Sequence, residues 1–396
     1  MSPRREILRT DAHSDARVEP GGTTGPAGSD RGDPSGLPEP ALAGGGGSAR
    51  RDVDPDVLDQ EQVLEVGIRP RHLAEFVGQA AVREHLEIVL EAARRRRQPV
   101  DHLLFAGPPG LGKTTLAGIV AAEMGAGLRV TSGPALGRGG DVAALLTELQ
   151  PGDVLFIDEI HRLNRAVEEI LYPAMEDFQI DIVIGKGPTA RSVRLELPPF
   201  TLVGATTRTG LVTGPLRDRF GFVEALELYA LDELELIVRR TARLFGVECD
   251  DAGAAEIARR SRGTPRLAIR LLRRVRDFVE VRGSGAITLE SAVEGCRVFG
   301  IDELGLDRLD RRLLDVLCVR FAGRPIGLTT LAVSVGEEPE TVEDVYEPYL
   351  LQAGLVMRTP RGRMPGPAAW AHLGIEEPGG ADAPTWMPGA TDTLWS

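Results

Sequence analysis

The residues Gly107-Pro108-Pro109-Gly110-Leu111-Gly112-Lys113-Thr114 combine three kinds of chemistry in eight positions. Glycines let backbone N–H groups approach an anion closely. A lysine supplies a positive point charge, and a threonine hydroxyl can ligate a hard cation. The segment follows the apolar run Leu103-Leu104-Phe105-Ala106 and opens a helical pattern from Leu116 to Met124. Strand, glycine-rich turn and helix in that order make a phosphate-binding loop, with the helix N-terminus adding partial positive charge. Lys113 is expected to reach the β- and γ-phosphates of a nucleotide, and Thr114 to ligate Mg²⁺.

A second apolar run, Val154-Leu155-Phe156-Ile157, ends in Asp158-Glu159. Acids at the C-terminal end of a buried strand can organise the shell of a cation (Asp158) and polarise an attacking water (Glu159). Thr206-Thr207-Arg208 closes a third run, where a hydroxyl can hold that water. Ten residues on, Leu216-Arg217-Asp218-Arg219-Phe220 offers two arginines around an aspartate. They suit either a solvated ion pair or an arginine finger directed at a neighbour's site. Gly263-Thr264-Pro265-Arg266 starts a helix, with proline in its usual first-turn position, and Arg266 can point at a nucleotide from a second domain.

Those residues need a scaffold. Between about 67 and 230, helical patterns alternate with short apolar runs, the remaining ones being Leu128-Arg129-Val130-Thr131, Thr201-Leu202-Val203-Gly204 and Ala225-Leu226-Glu227-Leu228. This pattern predicts an α/β fold with a parallel sheet covered on both faces. From 231 to 303 the spacing is helical only. From 304 to 375, three helical patterns precede a hairpin made of Leu355 to Arg358 and Arg361 to Met364, the pattern of a winged helix. Residues 1–66 contain no aromatic side chain, and the first 50 hold Gly44-Gly45-Gly46-Gly47; too little apolar surface is present to offset ordering entropy, so disorder is expected there and in 376–396.

The net charge of −13 argues against a protein basic overall, while leaving room for a local basic surface. Cys249, Cys296 and Cys318 are too scattered for a zinc site or a disulfide framework. No apolar stretch is long enough for a membrane span and no secretory leader is apparent, so a cytoplasmic setting is expected.

The order of these motifs resembles the AAA+ ATPases. The wording of Ile68-Arg69-Pro70, Phe76-Val77-Gly78-Gln79, Asp158-Glu159-Ile160-His161-Arg162-Leu163, Leu171-Tyr172-Pro173-Ala174-Met175-Glu176-Asp177, Gly204-Ala205-Thr206-Thr207-Arg208, Pro215 to Gly221 and Arg358-Thr359-Pro360-Arg361-Gly362-Arg363 resembles the RuvB family of bacterial Holliday-junction branch-migration motors. The likeness runs from about Val66 to Gly374. It implies a RecA-like P-loop domain, a helical lid and a winged-helix head. It also implies ATP hydrolysis with Mg²⁺, a homohexameric ring on duplex and four-way junction DNA, and RuvA and a RuvC-type resolvase as partners.

The resemblance further implies that Ile68, Arg69, Glu176, Asp177, Phe178 and Tyr229 surround the adenine, while Gly110, Lys113, Thr114 and Thr115 hold phosphates. Thr207 becomes the sensor, Arg219 the finger acting on the adjacent subunit, and Arg266 the lid's sensor arginine. Arg358 and Arg363 would contact DNA. Phe178 to Leu197 reads as a β-hairpin in which Ile180, Ile182 and Ile184 alternate with other residues; in the family it docks on RuvA, and the alternative is a hairpin packed on its own sheet. The chain departs from the family pattern in its long extension before Val66, in Gly139-Gly140, and in Pro339, where the family often carries a DNA-contacting arginine. Rival readings are an AAA+ loader or initiator and a non-catalytic DNA-binding regulator. The hairpin and the Arg358–Arg363 stretch count against the first, and the set Lys113, Asp158, Glu159 and Arg219 against the second.

Overall fold

The computed structural model describes residues 67–184 and 191–377. The extension 1–66, the hairpin turn at Gly185-Lys186-Gly187-Pro188 and the tail from 378 onward lie outside the described residues.

The strands in chain order are β1 (Leu103–Ala106), β2 (Leu128–Ser132), β3 (Val154–Asp158), β4 (Gln179–Ile184), β5 (Arg191–Glu196), β6 (Thr201–Thr206), β7 (Phe222–Ala225), β8 (Glu248–Cys249), β9 (Ala286–Ile287), β10 (Val356–Thr359) and β11 (Gly362–Pro365). Five of them form a parallel sheet in the order β2-β3-β6-β1-β7. Successive side chains of a strand point to opposite faces. Leu103, Phe105, Val154, Phe156, Val203 and Ala205 accordingly enter one apolar cluster, and Leu104, Leu155, Ile157 and Leu202 the other. Helices Ala80–Arg96 and Lys113–Met124 cover the first face, and Gly139–Thr147 and Arg165–Glu176 the second. Each central strand is therefore buried on both faces over nearly its whole length, which explains why the apolar runs read as continuous.

The last sheet strand differs from the sequence expectation of Ala225 to Leu228. It lies three residues earlier, with Phe222 opposite Leu103. Beyond it, Leu226 is buried in the first cluster and Tyr229 N–H donates to Gly263 O at 2.9 Å. The apolar run leaves the sheet to pack on the helical block.

That block comprises Leu231–Phe245, Asp251–Arg259, Pro265–Arg282 and Leu289–Val298. The first cluster runs unbroken from the sheet through Leu234 and Leu272 to Ile301. A third cluster, including Leu313, Leu317, Leu331, Leu350 and Trp370, sits in the C-terminal head. There Arg308–Asp315, Leu328–Val335 and a helical run from Pro339 to Gln352 precede the antiparallel pair β10–β11. This winged-helix hairpin begins one residue later than expected on each strand. Buried Asp310 of the head is ion-paired with Arg262 of the helical block.

The expected hairpin is present as β4–β5, separate from the main sheet. Two of the isoleucines expected on the partner-docking hairpin differ in burial. Ile180 is fully buried in the second cluster, and Ile182 is half-buried against it. Ile184 keeps its register opposite Arg191. The opposite face carries the Asp181–Arg194 ion pair at 3.0 Å. Cys249, Cys296 and Cys318 are free thiols, with burial pushing each up to about 11. No helix among the described residues is long and apolar enough to cross a membrane.

Candidate nucleotide site

β1 ends at Ala106, and the chain turns through Gly107, Gly110 and Gly112, all at positive φ, before the helix starts at Lys113. At Gly107 a Cβ would lie 2.6 Å from Leu226 O, so only glycine fits. The turn closes on the helix N-terminus, leaving its first N–H groups available to an anion. Lys113 is buried, and its Nζ donates to Gly107 O at 2.7 Å and Pro108 O at 2.8 Å. Burial lowers its pKa to about 8; the Asp158 charge opposes that shift and the Arg266 charge adds to it.

One cavity joins three parts of the chain. The loop contributes Pro109 through Thr115, the sheet edge Asp158, Glu159 and Thr207, and the N-terminal stretch Ile68, Arg69, Phe76 and Val77. Tyr229, Ile237, Arg240, Thr241, Arg266 and Ile269 come from the helical block or the link into it. Tyr229 is buried, and its hydroxyl donates to Leu111 O at 3.1 Å. Arg266 N–H donates to Gly110 O at 3.3 Å. Of the expected residues, Ile68, Arg69, Gly110, Lys113, Thr114, Thr115, Asp158, Glu159, Thr207, Tyr229 and Arg266 are all brought together here.

Asp158 is the last residue of β3, and its Oδ1 accepts the Glu159 N–H at 2.9 Å. Glu159 adopts φ 48°, a left-handed conformation uncommon for glutamate, which turns the chain sharply off the strand. Its carboxylate lies 3.2 Å from Arg162 Nη1. The ring of His161 meets Thr206 Oγ1 at 3.0 Å, tying the acidic turn to the end of β6. Burial lowers the His161 pKa.

Glu176, Asp177 and Phe178, expected around the adenine, do not line this cavity. Helix Arg165–Glu176 carries them to the second face of the sheet instead, where Phe178 packs edge-on to His102 and Phe200. Glu176 there pairs with Arg219 at 3.1 Å. The Arg219 guanidinium also stacks over Tyr172 at 4.3 Å and donates to Pro215 O at 2.5 Å. Arg219 too is absent from its own chain's cavity.

Both wing arginines are paired with acids, Arg358 remaining exposed and Arg363 largely covered. Arg358 and Arg363 are opposite one another across β10–β11. Arg358 Nη2 lies 2.5 Å from Glu347 Oε2, and Arg363 Nε lies 2.6 Å from Glu347 Oε1. Glu347 is 1% exposed, and a buried carboxylate demands such partners. At the hairpin tip Arg361 is exposed.

Sequence reading missed Ile237, Arg240 and Thr241. Their helix shows an apolar periodicity that reads as core, and only the placement of the block against the loop makes part of that face a cavity wall. Arg240 is fixed by donating to Glu75 O at 2.6 Å.

The chain matches family models for the Holliday junction DNA helicase RuvB P-loop domain over residues 68–226, the RuvB AAA lid domain over 229–302 and the RuvB C-terminal winged helix domain over 303–374. It is 63% identical over 318 residues to the Holliday junction branch migration complex subunit RuvB of Saccharopolyspora erythraea, covering 80% of this chain and 90% of that one. The same-named protein of a Nocardioides species is 62% identical over 318 residues, covering 80% and 88%. The solved Thermotoga maritima RuvB Holliday junction branch migration motor superposes with a TM-score of 0.73 at 51% identity, covering 78% of this chain and 99% of that one. With its P-loop cavity, its helical block and its winged head, the chain belongs to the RuvB family of P-loop ATPases that drive Holliday-junction branch migration.

Proposed function

We propose that this chain hydrolyses ATP at the Lys113 cavity and uses the energy to move duplex DNA at four-way junctions, as a homohexameric ring acting with RuvA and a RuvC-type resolvase. The observation that carries the reading is the split of the site. Lys113, Asp158, Glu159, Thr207 and Arg266 share one cavity, while Arg219 lies outside it. A site lacking its own finger suits completion by a neighbouring subunit.

In this reading Gly110, Lys113, Thr114 and Thr115 bind phosphates, and Ile68, Arg69 and Tyr229 flank the base. Glu159 polarises the attacking water and Thr207 orients it. Arg219, held by Glu176 beside Asp177 and Phe178, serves the neighbour's nucleotide. The Thr114 hydroxyl and the Asp158 carboxylate are hard oxygen donors on one cavity, the donor type that suits Mg²⁺, which keeps several waters and phosphate oxygens as ligands. A bound Mg²⁺ would neutralise phosphate charge. Working units of 67–230 for the ATPase core, 231–303 for the lid and 304–375 for the head fit this division of labour.

The test is ATP turnover by the full chain with and without four-way junction DNA and RuvA. Turnover that rises with both supports the reading, and turnover indifferent to junction DNA under ring-forming conditions overturns it.

A further inference from the structure

Arg208 follows Thr207 on the nucleotide cavity, and its N–H donates to Thr206 Oγ1 at 3.0 Å. Its side chain points away from the chemistry and into the head. Nε donates to Asp344 Oδ1 at 2.7 Å and Nη2 to Glu343 Oε2 at 2.9 Å. Both acids lie in the wide-turned helical stretch Val342–Tyr346. Arg208, Glu343 and Asp344 side chains are only 27–28% exposed.

Glu343 is also shared. Its Oε1 lies 3.2 Å from Arg363 Nη2 and 3.4 Å from Arg358 Nη2. From the core side, Arg162, in the turn after Glu159, reaches Glu340 at 3.9 Å. The acidic stretch thus has the core's Arg162 and Arg208 on one side and the wing's Arg358 and Arg363 on the other. A lone surface ion pair contributes little, but a partly buried network in which two parts of the molecule share one carboxylate links their positions.

We propose that Arg208 is a positioning residue that couples the nucleotide cavity to the wing. A shift of the end of β6 carries its guanidinium, and Glu343 then divides its hydrogen bonds differently between Arg208 and the two wing arginines. The charge those arginines present to a DNA phosphate therefore follows the state of the cavity. Coupling of this kind is a free energy shared by two sites, and it needs an element with two arrangements; the shared carboxylate is that element. The inference rests on the reading of the chain as an ATP-driven DNA motor.

The experiment measures duplex DNA affinity of the full chain across a salt series, once with ADP and once with a non-hydrolysable ATP analogue. The wild-type chain should show a ratio of affinities between the two states of about fivefold or more, the usual range for coupled sites. Arg208→Ala should bring the ratio close to one while nucleotide affinity stays nearly unchanged. The pair Glu343→Gln with Asp344→Asn should abolish the ratio from the other side of the joint. Arg208→Lys, which retains charge without the two-pronged geometry, should recover part of it. A ratio preserved in Arg208→Ala overturns the joint alone, as does one preserved in the acid variant. A wild-type ratio of one overturns both the joint and the motor reading.

Discussion

The backbone N–H of Arg266 donates to Gly110 O at 3.3 Å, so the phosphate loop and the lid touch directly at the cavity both of them line. Gly110 sits at φ +85°, and a Cβ there would lie 2.8 Å from Thr264 Cγ2 and 3.0 Å from Arg266 Cβ. Gly110→Ala therefore combines left-handed strain of about 1–2 kcal/mol with a displaced lid. Nucleotide affinity should fall on the order of tenfold, which corresponds to about 1.4 kcal/mol. Titration with a fluorescent nucleotide checks this, and unchanged affinity would show that this contact does not hold the lid.

Lys113 and Glu159 face the same cavity with different tasks. Lys113→Ala should lose nucleotide binding, because a cation aimed at ground-state phosphates is gone. Glu159→Gln should bind nucleotide normally and turn over more slowly by roughly 10²–10⁴, the usual contribution of a positioned base. Binding and turnover are measured separately. Weak binding by the Glu159 variant would remove its assignment to water.

Arg219 lies off its own cavity, held by Glu176 and Tyr172. Arg219→Ala should reduce hydrolysis by about 10³–10⁵, as fingers do in well-studied cases. Mixing that variant with Lys113→Ala should restore some turnover, because an intact loop can then face an intact finger. A mixture as inactive as its parents, under conditions where rings form, would count against a shared site.

The wing arginines should behave unequally. Glu347 is 1% exposed and holds Arg363, itself 16% exposed. Arg363→Ala removes a partner of a buried acid and should destabilise the head by roughly 2–3 kcal/mol, below the full penalty for an orphaned buried charge because Arg358 remains. Arg361→Ala should leave melting unchanged and reduce the salt slope of duplex binding by about one unit if the tip meets one phosphate. Thermal melting and a salt series on both variants separate the two effects.

His102 gives a stability prediction with a definite sign. Its Nε2 meets Met175 O at 3.0 Å, and its Nδ1 accepts the Leu202 N–H at 2.8 Å, so the buried ring is neutral. Burial lowers its native pKa below the ordinary 6.5. The unfolded chain then binds a proton at a pH where the native ring does not. The stability this ring contributes is present above about 6.5 and is lost as pH falls toward the native value, at up to about 1.4 kcal/mol per pH unit. His102→Gln, which offers a donor and an acceptor without a titrating ring, should flatten the fall in melting temperature between neutral and mildly acidic pH. An unchanged slope would place the sensitivity elsewhere.

The amino-acid sequence alone determined the sheet, the phosphate loop and the acids beside it. These rest on short-range causes. Apolar strands buried on both faces read as continuous runs, glycines at positive φ close a tight turn, and a loop opening a helix creates an anion site wherever it occurs. Local reading could offer Arg266 only as a candidate and placed Tyr229 only through resemblance to a known family, because their meeting with Gly110 and Leu111 spans more than a hundred residues of chain. Other features were decided by tertiary structure. Ile180 alternates like a free hairpin face yet is buried in the second core cluster. Glu176 reads as a base contact, and the fold places it at the end of helix Arg165–Glu176 against Arg219. Arg358 and Arg363 read as cations for DNA, and only the fold shows that Glu343 and Glu347 share them. A side chain's chemical type is written in the sequence, whereas the partner of a charge and the burial of an apolar face depend on which distant segment packs against them.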